Sequence, residues 1–534
     1  MKKFAAVLLA SLLICLSFTS CGQTTASSTP EAPGSSSSAA QLPSSAAADP
    51  EETPYAALDL HDPANVVMYV CATEPNAMAE ILAMVNVRTK AAVNTTMELY
   101  FIPSSERSTK YPLVMAGGDT VDLIFTANYC YYKEQVDKGG FKELTEDFLQ
   151  TYMPVTWATL PDSAWKETYI NGKIYMVPRN TASIAPDRGP TINMDVAEKY
   201  GYPADQISSY ADFDGYLKAV GDNEASSGMY AFYASSSSTL YQLSLIFKNN
   251  LLNNQASDYM YYAQMEDPAF EHPFYLHTSD FYKEYCLLMA EYAKAGVWPS
   301  DAISNTNSIA TLFSNRQSAT STDNFFNGIN NVANYRSKGI RAELFDIFPD
   351  GYRILRDSYI GDGMAIPSFS KNPERAAVLL DYIKTDWDTN MLLAGGVEGR
   401  HYLYDAESNT VTAGPESGDY TYLGWNWGIF HSNLAWPSTD DARINAINQR
   451  IYSEQVKDEE WPYWGFNFDY TPVSAEWAVI SALVTEYGTS FNLGMFGDAT
   501  EQNYEEFVQK LKNGGLDKYV EEWNRQRSEF LANS

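Results

Sequence analysis

The sequence predicts an α/β fold with a mainly parallel sheet, because strand-like and helix-like segments alternate from residue 66 onward. Three apolar runs have the length of β-strands, and they span residues 66–71, 97–102 and 121–125. Between the first two runs, apolar residues recur at helical spacing: Met78, Ile81, Leu82 and Val85. Residues 111–116 predict a second short helix before the third run. This order is typical of βαβ units, whose strands run parallel.

Two later segments predict further helices. Residues 372–374 (Asn-Pro-Glu) open the first, and its apolar positions are Ala376, Leu379, Leu380 and Ile383. Residues 517–532 form the second, with an apolar stripe typical of a terminal helix packed on a core. At 534 residues the chain is long enough for two or three domains.

Charge excludes two classes of partner. The formal net charge is −31, so the surface repels nucleic acid and anionic lipid headgroups. After the N-terminal segment, no apolar run reaches the roughly 18 residues that a membrane helix needs. We therefore expect no nucleic-acid partner and no membrane-spanning segment.

The N-terminus predicts export and lipid attachment. Lys2 and Lys3 precede an apolar run over residues 4–16, and small residues lead to Cys21, as in a secretory signal. The cysteine followed by Gly22 resembles the lipobox of bacterial lipoproteins, in which the thiol receives diacylglycerol. This predicts a signal peptide over 1–20, lipidation of Cys21, and a disordered Ser/Ala/Pro tether over 21–54. The alternative is an ordinary signal peptide that contains a cysteine.

The remaining cysteines predict neither a disulfide framework nor a metal site. Cys71, Cys130 and Cys286 are an odd number at irregular spacing, and we expect them to be buried small hydrophobic residues. The sequence has no CxxC pair and no HExxH motif. We expect no cofactor and no metal.

Several segments, in order, resemble the motifs of one protein family. Residues 111–119 leading into 121–124 are similar to its helix, turn and strand, and residues 171–178 match its "N-G-K-x-Y-x-x-P" segment. Further segments are similar to its other motifs: 193–201, 365–376, 395–402 and 515–526. With these segments the chain resembles the extracellular solute-binding proteins of bacterial ABC importers, in the large lipoprotein branch placed with the carbohydrate-binding families.

The resemblance implies a two-lobed periplasmic-binding-protein-like fold of type II, with a hinge between the lobes. It implies a first lobe over 64–180, to which part of 310–370 returns. The second lobe and a C-terminal helical region would comprise 185–305 and about 371–534. It further implies a lipid-anchored monomer on the extracellular face of the membrane, which is not an enzyme and delivers a solute, expected to be an oligosaccharide, to permease subunits.

Candidate ligand-binding residues come from loops, aromatic clusters and the expected hinge. Ligands of such sheets bind beyond the carboxyl ends of the strands, and three polar candidates follow those ends: Glu74, Asn128 and Tyr129. Sugar rings pack on flat side chains, which adds three aromatic candidates: Trp165, Trp425 and Trp427. If residues 424–428 are extended, the Trp425 and Trp427 rings point to the same face. Three further polar candidates lie near the expected hinge or in a Gly-rich turn: Arg188, Asn324 and Glu398.

Alternatives remain open for these residues and for the function. Each aromatic ring could pack in a core, Arg188 could pair with Asp187, and Glu398 could stabilise its own turn. A secreted glycoside hydrolase would need two carboxylates about 5–10 Å apart across a sugar. A peptide-binding lipoprotein or a surface adhesin would fit the same tether.

Overall fold

The computed structural model describes residues 53–103, 106–117, 120–182, 184–185, 188–253, 260–264, 266–267, 270–348, 355–356, 358–405, 410–420, 422–429, 441–453, 463, 466 and 468–533. The predicted signal peptide, Cys21 and all but the last two residues of the predicted tether lie outside these ranges. Within them, no helix is both long enough and apolar enough to cross a membrane.

Strands occur from residue 64 to residue 413, and they alternate with helices through the first half of the described chain. The strands are β1 (Ala64–Val70), β2 (Thr95–Phe101), β3 (Leu123–Thr126), β4 (Tyr169–Ile170), β5 (Lys173–Ile174), β6 (Val177–Pro178), β7 (Ile184–Ala185), β8 (Arg188–Asn193), β9 (Leu251–Asn253), β10 (Tyr261–Gln264), β11 (Phe274–Tyr275), β12 (Thr320–Asn324), β13 (Ala342–Leu344), β14 (Leu355–Arg356), β15 (Gly363–Ala365), β16 (Tyr402–Asp405) and β17 (Thr410–Ala413).

Helices dominate the second half. The α-helices are α1 (Met78–Val93), α2 (Arg107–Ala116), α3 (Tyr132–Asp137), α4 (Glu146–Tyr152), α5 (Pro154–Thr159), α6 (Asp162–Glu167), α7 (Met194–Lys199), α8 (Tyr210–Glu224), α9 (Asp280–Lys294), α10 (Ile309–Ser314), α11 (Phe325–Ser337), α12 (Pro373–Thr385), α13 (Trp387–Gly395), α14 (Ala442–Ser453), α15 (Ser474–Asn492), α16 (Thr500–Asn513) and α17 (Leu516–Asn533).

The first sheet has the order β2-β1-β3-β15-β6. β1 pairs in parallel with β2 and β3, which confirms the predicted parallel arrangement of the three apolar runs. β15 is antiparallel to both β3 and β6, so its amino end lies at the carboxyl ends of its neighbours. We call this side of the sheet the carboxyl edge.

The second sheet has the order β12-β8-β13, with β8 antiparallel to both neighbours. The chain enters it from β6 through β7 and returns from β13 to β15 through β14. β7 and β14 pair with each other between the two sheets. These two connections, β6 to β8 and β13 to β15, therefore each join the carboxyl edge of the first sheet to the second sheet. The side of the second sheet that carries the amino end of β8 is called the crossing edge below.

Two of the recognised motif segments are joined by one buried carboxylate. The Asp122 side chain accepts hydrogen bonds from the Val67 backbone N–H at 3.1 Å and from Ser370 Oγ at 2.7 Å. Asn372 Nδ2 lies 3.5 Å from the same carboxylate. A buried carboxylate needs such donors to offset its desolvation, so Asp122 fixes β1 against the segment that opens α12.

The segment 373–429 corrects the predicted domain boundary near residue 371. α12 packs against β1, α1, α4 and α5, and α13 packs against α1. Asp381 on α12 accepts hydrogen bonds from Tyr55 Oη at 2.9 Å and from the Thr156 backbone N–H at 2.7 Å. The apolar residues of α12 are buried because helices cover it on several sides, so this segment belongs with the first sheet.

The C-terminal helices pack on α9 and β10, which precede them in the chain. α15, α16 and α17 contact one another, and α15 and α16 also pack on α9. Tyr261 on β10 stacks on Trp523 of α17, with ring centroids 3.7 Å apart and planes 7° apart. The predicted terminal helix over 517–532 is confirmed as α17, and its stripe is a packing surface.

Candidate functional site

The carboxyl edge of the first sheet brings together polar side chains that are distant in sequence. Tyr129 follows β3, and its Oη donates a hydrogen bond to Asp362 Oδ1 at 3.2 Å. Arg179 follows β6, and its Nη1 lies 3.1 Å from Asp362 Oδ2. The Asn128 backbone N–H donates to the Ile360 carbonyl at 2.8 Å, which holds the loop after β3 against the start of β15. Asn128 and Tyr129 therefore lie where the sequence predicted.

Asp362 is the electrostatic centre of this edge. Asp362 is only 9% exposed, and burial raises the pKa of its carboxyl to about 6. The charge of Arg179 and the hydrogen bond from Tyr129 act in the opposite direction and favour the carboxylate. The edge thus holds a carboxylate that can change protonation state in a mildly acidic medium.

A short loop closes over the carboxyl edge and presents Trp425. Residues Gly424–Trp427 form a 3₁₀ helix, and the Trp425 ring meets Phe125 of β3 edge-on at 5.3 Å. Gly428 has φ +61° and lies so close to Arg179 that an added Cβ would be 2.9 Å from the Arg179 Cα. Only glycine fits there without displacing the chain. Trp425 is partly exposed, so one aromatic ring remains available at this edge.

Lys384 on α12 fastens this loop to the sheet. Its Nζ donates to the carbonyls of Pro178 at 3.1 Å, Trp427 at 3.0 Å and Gly428 at 3.1 Å. Three carbonyls from two segments converge on one amine. The position of Trp425 therefore depends on Lys384, which holds two later residues of the same loop.

Trp427 corrects the prediction made for the tryptophan pair. The segment is helical rather than extended, so the two rings do not share a face. Trp427 is fully buried, and its Nε1 donates to Met68 Sδ of β1 at 2.8 Å. Trp427 is a core residue, so the alternative in which its ring packs in a core describes it correctly.

Trp165 is also a core residue. It lies on α6, is 4% exposed, and packs against Trp157 with ring centroids 4.9 Å apart. Its Nε1 has no hydrogen-bond partner within the part of the chain that the structure describes. The ring fills space between α5 and α6, and this geometry favours the alternative of core packing for Trp165.

The two glutamate candidates, Glu74 and Glu398, are exposed. Glu74 lies in the loop after β1. Glu398 lies in a tight turn in which it bridges to Tyr402, while the Gly399 N–H donates to the Tyr402 carbonyl at 2.7 Å. This geometry favours the alternative in which Glu398 belongs to its own turn.

Arg188 and Asn324 are brought together at the crossing edge of the second sheet. They are directly paired across β8 and β12. Asn324 also caps α11, because its Oδ1 accepts from the Asn327 N–H at 2.8 Å. Asp323 beside it accepts from Asn327 Nδ2 at 3.1 Å and from Asn331 Nδ2 at 3.3 Å. The crossing edge therefore carries a guanidinium, a carboxylate and amide groups.

A cavity of about 440 Å³ opens beside Tyr129. Its walls come from the start of α2, the loop after β3 and the start of α3, with these residues: Arg107, Ser108, Asn128, Tyr129, Tyr131, Tyr132, Lys133 and Glu134. The Arg107 guanidinium lies 5.2 Å from the centre of the Tyr129 ring. Tyr131 has φ 59° and stacks on Tyr111 at 4.7 Å, which fixes the loop that forms the wall.

The sequence interpretation missed Asp362, Arg179 and Arg107. Arg179 directly follows the "N-G-K-x-Y-x-x-P" segment, so its position was a usable signal. Asp362 precedes a strand of three residues, Gly363–Ala365, which is too short to stand out by periodicity. Arg107 lies in a polar segment without any pattern that marks it.

The described cysteines are thiols buried in the fold. Cys71 and Cys130 lie at the carboxyl edge, and the hydrogen bond between the Cys130 thiol and Cys71, together with burial, raises the pKa of the Cys130 thiol. Cys286 is buried on α9. Within the ranges that the structure describes, no three His, Cys, Asp or Glu side chains form a group that could hold a metal ion.

Comparison with known proteins identifies the family. Residues 83–393 match the family described as "Bacterial extracellular solute-binding protein", and residues 462–532 match a "Domain of unknown function (DUF3502)". No curated protein sequence matches this chain.

Solved structures share its fold. The N-glycan transport solute binding protein (NgtS) from Streptococcus pneumoniae has 20% identity, covers 88% of this chain and 100% of its own, and gives a TM-score of 0.68. The S. pneumoniae ABC-transporter substrate binding protein FusA in complex with kestose has 16% identity, covers 88% and 99%, and gives 0.58. The HMO binding ABC-transporter associated solute binding protein from Bifidobacterium longum infantis has 15% identity, covers 87% and 98%, and gives 0.54. The fold is the predicted two-lobed type II fold, and the chain belongs to the family of bacterial extracellular solute-binding proteins.

Proposed function

We propose that this protein captures an extracellular oligosaccharide in a cleft between its two sheets and delivers it to the permease subunits of an ABC importer. One observation carries the proposal: the connections from β6 to β8 and from β13 to β15 both join the carboxyl edge of the first sheet to the crossing edge of the second. Polar side chains lie at both edges, as Asn128 and Asp362 do at the first and Arg188 and Asn324 at the second.

The chemistry of these edges suits a sugar. Trp425 and Tyr129 supply partly exposed rings on which the C–H faces of a pyranose can pack, and the polar groups can bond hydroxyls. The similar solved structures support a saccharide, since one is named for N-glycan transport and another holds kestose.

Hinge closure would couple capture to delivery. We assign the first lobe to 64–180 and 358–429 and the second to 188–348 and 441–533, with β7 and β14 as the hinge. A solute that contacts both lobes only in the closed form shifts the population toward it. The permease subunits would then recognise the closed form.

The test is a thermal-unfolding screen of the protein, with Cys21→Ala to keep it in solution, against oligosaccharides and peptides. A ligand at a hundredfold excess over its Kd stabilises the protein by roughly 2.7 kcal/mol. Stabilisation by peptides alone would contradict a sugar ligand. Chromatographic detection of cleaved sugar during incubation would favour a hydrolase.

Attachment through Cys21 is a separate part of the proposal. Cells fed a clickable palmitate analogue should label the wild-type protein and leave Cys21→Ala unlabelled and in the medium. Cys21→Ala protein that remains in the membrane fraction would contradict a lipid anchor. Light scattering of the released protein tests the predicted monomer.

A further inference from the structure

The cavity beside Tyr129 has an uneven charge balance. Lys133 is paired with Asp137 at 2.9 Å, and Glu134 is paired with Lys138. Asp362, behind the Tyr129 hydroxyl, is paired with Arg179 at 3.1 Å. For Arg107, no carboxylate lies within ion-pair distance among the described residues, and its guanidinium lies over the Tyr129 ring. The cavity wall thus carries one positive charge in excess.

An unpaired, half-buried arginine is unexpected in this chain. Asp and Glu total 67 against 36 Lys and Arg, so carboxylates are abundant partners. Partial burial removes water from the guanidinium, and a charge in that position normally acquires a partner. A tyrosine ring attracts the guanidinium but does not pair its in-plane N–H groups, so these donors stay available for a ligand.

We propose that Arg107 binds an acidic group of the solute, so that the protein selects an acidic oligosaccharide over a neutral one. This inference rests on the proposed function, because it assigns one subsite to the same ligand. The planar fork of donors fits a carboxylate of a uronic acid, and it also fits a sulfate ester. Asn128 and Ser108, on the same wall, can bond neighbouring hydroxyls of that sugar unit.

The decisive experiment compares matched acidic and neutral sugars by calorimetry. Galacturonate oligomers are paired with their methyl esters, glucuronate-branched xylo-oligosaccharides with unbranched ones, and sulfated oligosaccharides with desulfated ones. The wild-type protein should prefer the acidic member of the pair that it binds. Arg107→Met should weaken acidic binding by about 10- to 100-fold and leave neutral binding within about twofold.

Two control variants separate charge from geometry. Lys133→Met removes the same unit charge from the same cavity wall but breaks an existing ion pair, so the acid preference should persist. Arg107→Lys keeps the charge and loses the fork, and it should retain part of the preference. Because Arg107 makes no ion pair within the described chain, the melting temperature of Arg107→Met without ligand should match the wild type.

The outcomes distinguish this inference from the function on which it rests. Equal binding of acidic and neutral sugars by the wild type, or a preference that survives in Arg107→Met, overturns the acidic subsite and leaves the solute-binding proposal intact. Failure of every sugar to bind contradicts the proposed oligosaccharide function itself. The pair that shows the preference tells whether the group is a carboxylate or a sulfate.

Discussion

Tyr129 donates a hydrogen bond to Asp362 at 3.2 Å, although 233 residues separate them in the chain. The contact joins the loop after β3 to the start of β15, at the edge where the chain leaves for the second sheet. Asp362 is buried and paired with Arg179, so a single carboxylate holds segments from three strands.

Asp362 should make stability depend on pH in one direction. Its folded pKa of about 6 lies above the ordinary value of 3.8, so the folded state binds the proton more tightly. The stabilising contribution is present below pH 3.8 and is lost as pH rises through 6. Relative to Asp362→Asn, the wild type should therefore lose on the order of 2–3 kcal/mol of unfolding free energy between pH 4 and pH 7.

Urea unfolding of both proteins at each pH measures this difference. Asp498→Asn is the control, because it removes a carboxylate whose side chain is 94% exposed. A wild-type-minus-Asp362→Asn difference that stays flat, or that rises with pH, would contradict the assignment.

Trp425 and Trp427 should respond differently to the same substitution. Trp427→Ala removes a fully buried ring and should lower the unfolding free energy by about 3–5 kcal/mol. Trp425→Ala should cost much less stability but weaken oligosaccharide binding by roughly tenfold, as expected for a lost ring contact. Chemical unfolding measures the change in unfolding free energy, and calorimetry measures the change in oligosaccharide affinity. Unchanged affinity in Trp425→Ala would exclude its ring from the binding site.

Lys384 should act on stability through the loop that carries Trp425. Lys384→Met leaves three carbonyls without their shared donor and should cost about 1–3 kcal/mol. Lys90→Met, which alters an exposed lysine on α1, should have little effect. Equal unfolding midpoints for the two variants would show that the amine does not secure the loop.

Trp523 should anchor the C-terminal helix. Trp523→Ala removes the ring stacked on Tyr261 and should lower the unfolding free energy by about 3–5 kcal/mol. Leu531→Ala alters a side chain that is 37% exposed on the same helix and should cost far less. Hydrogen exchange of α17 checks both, and exchange in Trp523→Ala as slow as in wild type would count against the anchoring role.

Local patterns were sufficient for three strands of the first sheet and for several helices. β1, β2 and β3 follow from apolar runs, and α12 and α17 follow from helical spacing with their starting residues. These patterns can be read from a short stretch of sequence, because each strand or helix buries one continuous side and its apolar residues recur at the spacing of that side. The motif order also predicted the family, and Asn128 and Tyr129 followed from the rule that ligands bind beyond the carboxyl ends of parallel strands.

The sequence by itself determined the class of fold, the family and the loops in which to look for a site. Only the tertiary structure decided that α12 and α13 lie with the first sheet, that Trp427 is core while Trp425 is partly exposed, and that Asp362 meets Tyr129 and Arg179. The physical reason is that periodicity reports which faces become buried and not which distant segment buries them. The balance of charge around Arg107 depends on such distant partners, so it became visible only when the chain was folded.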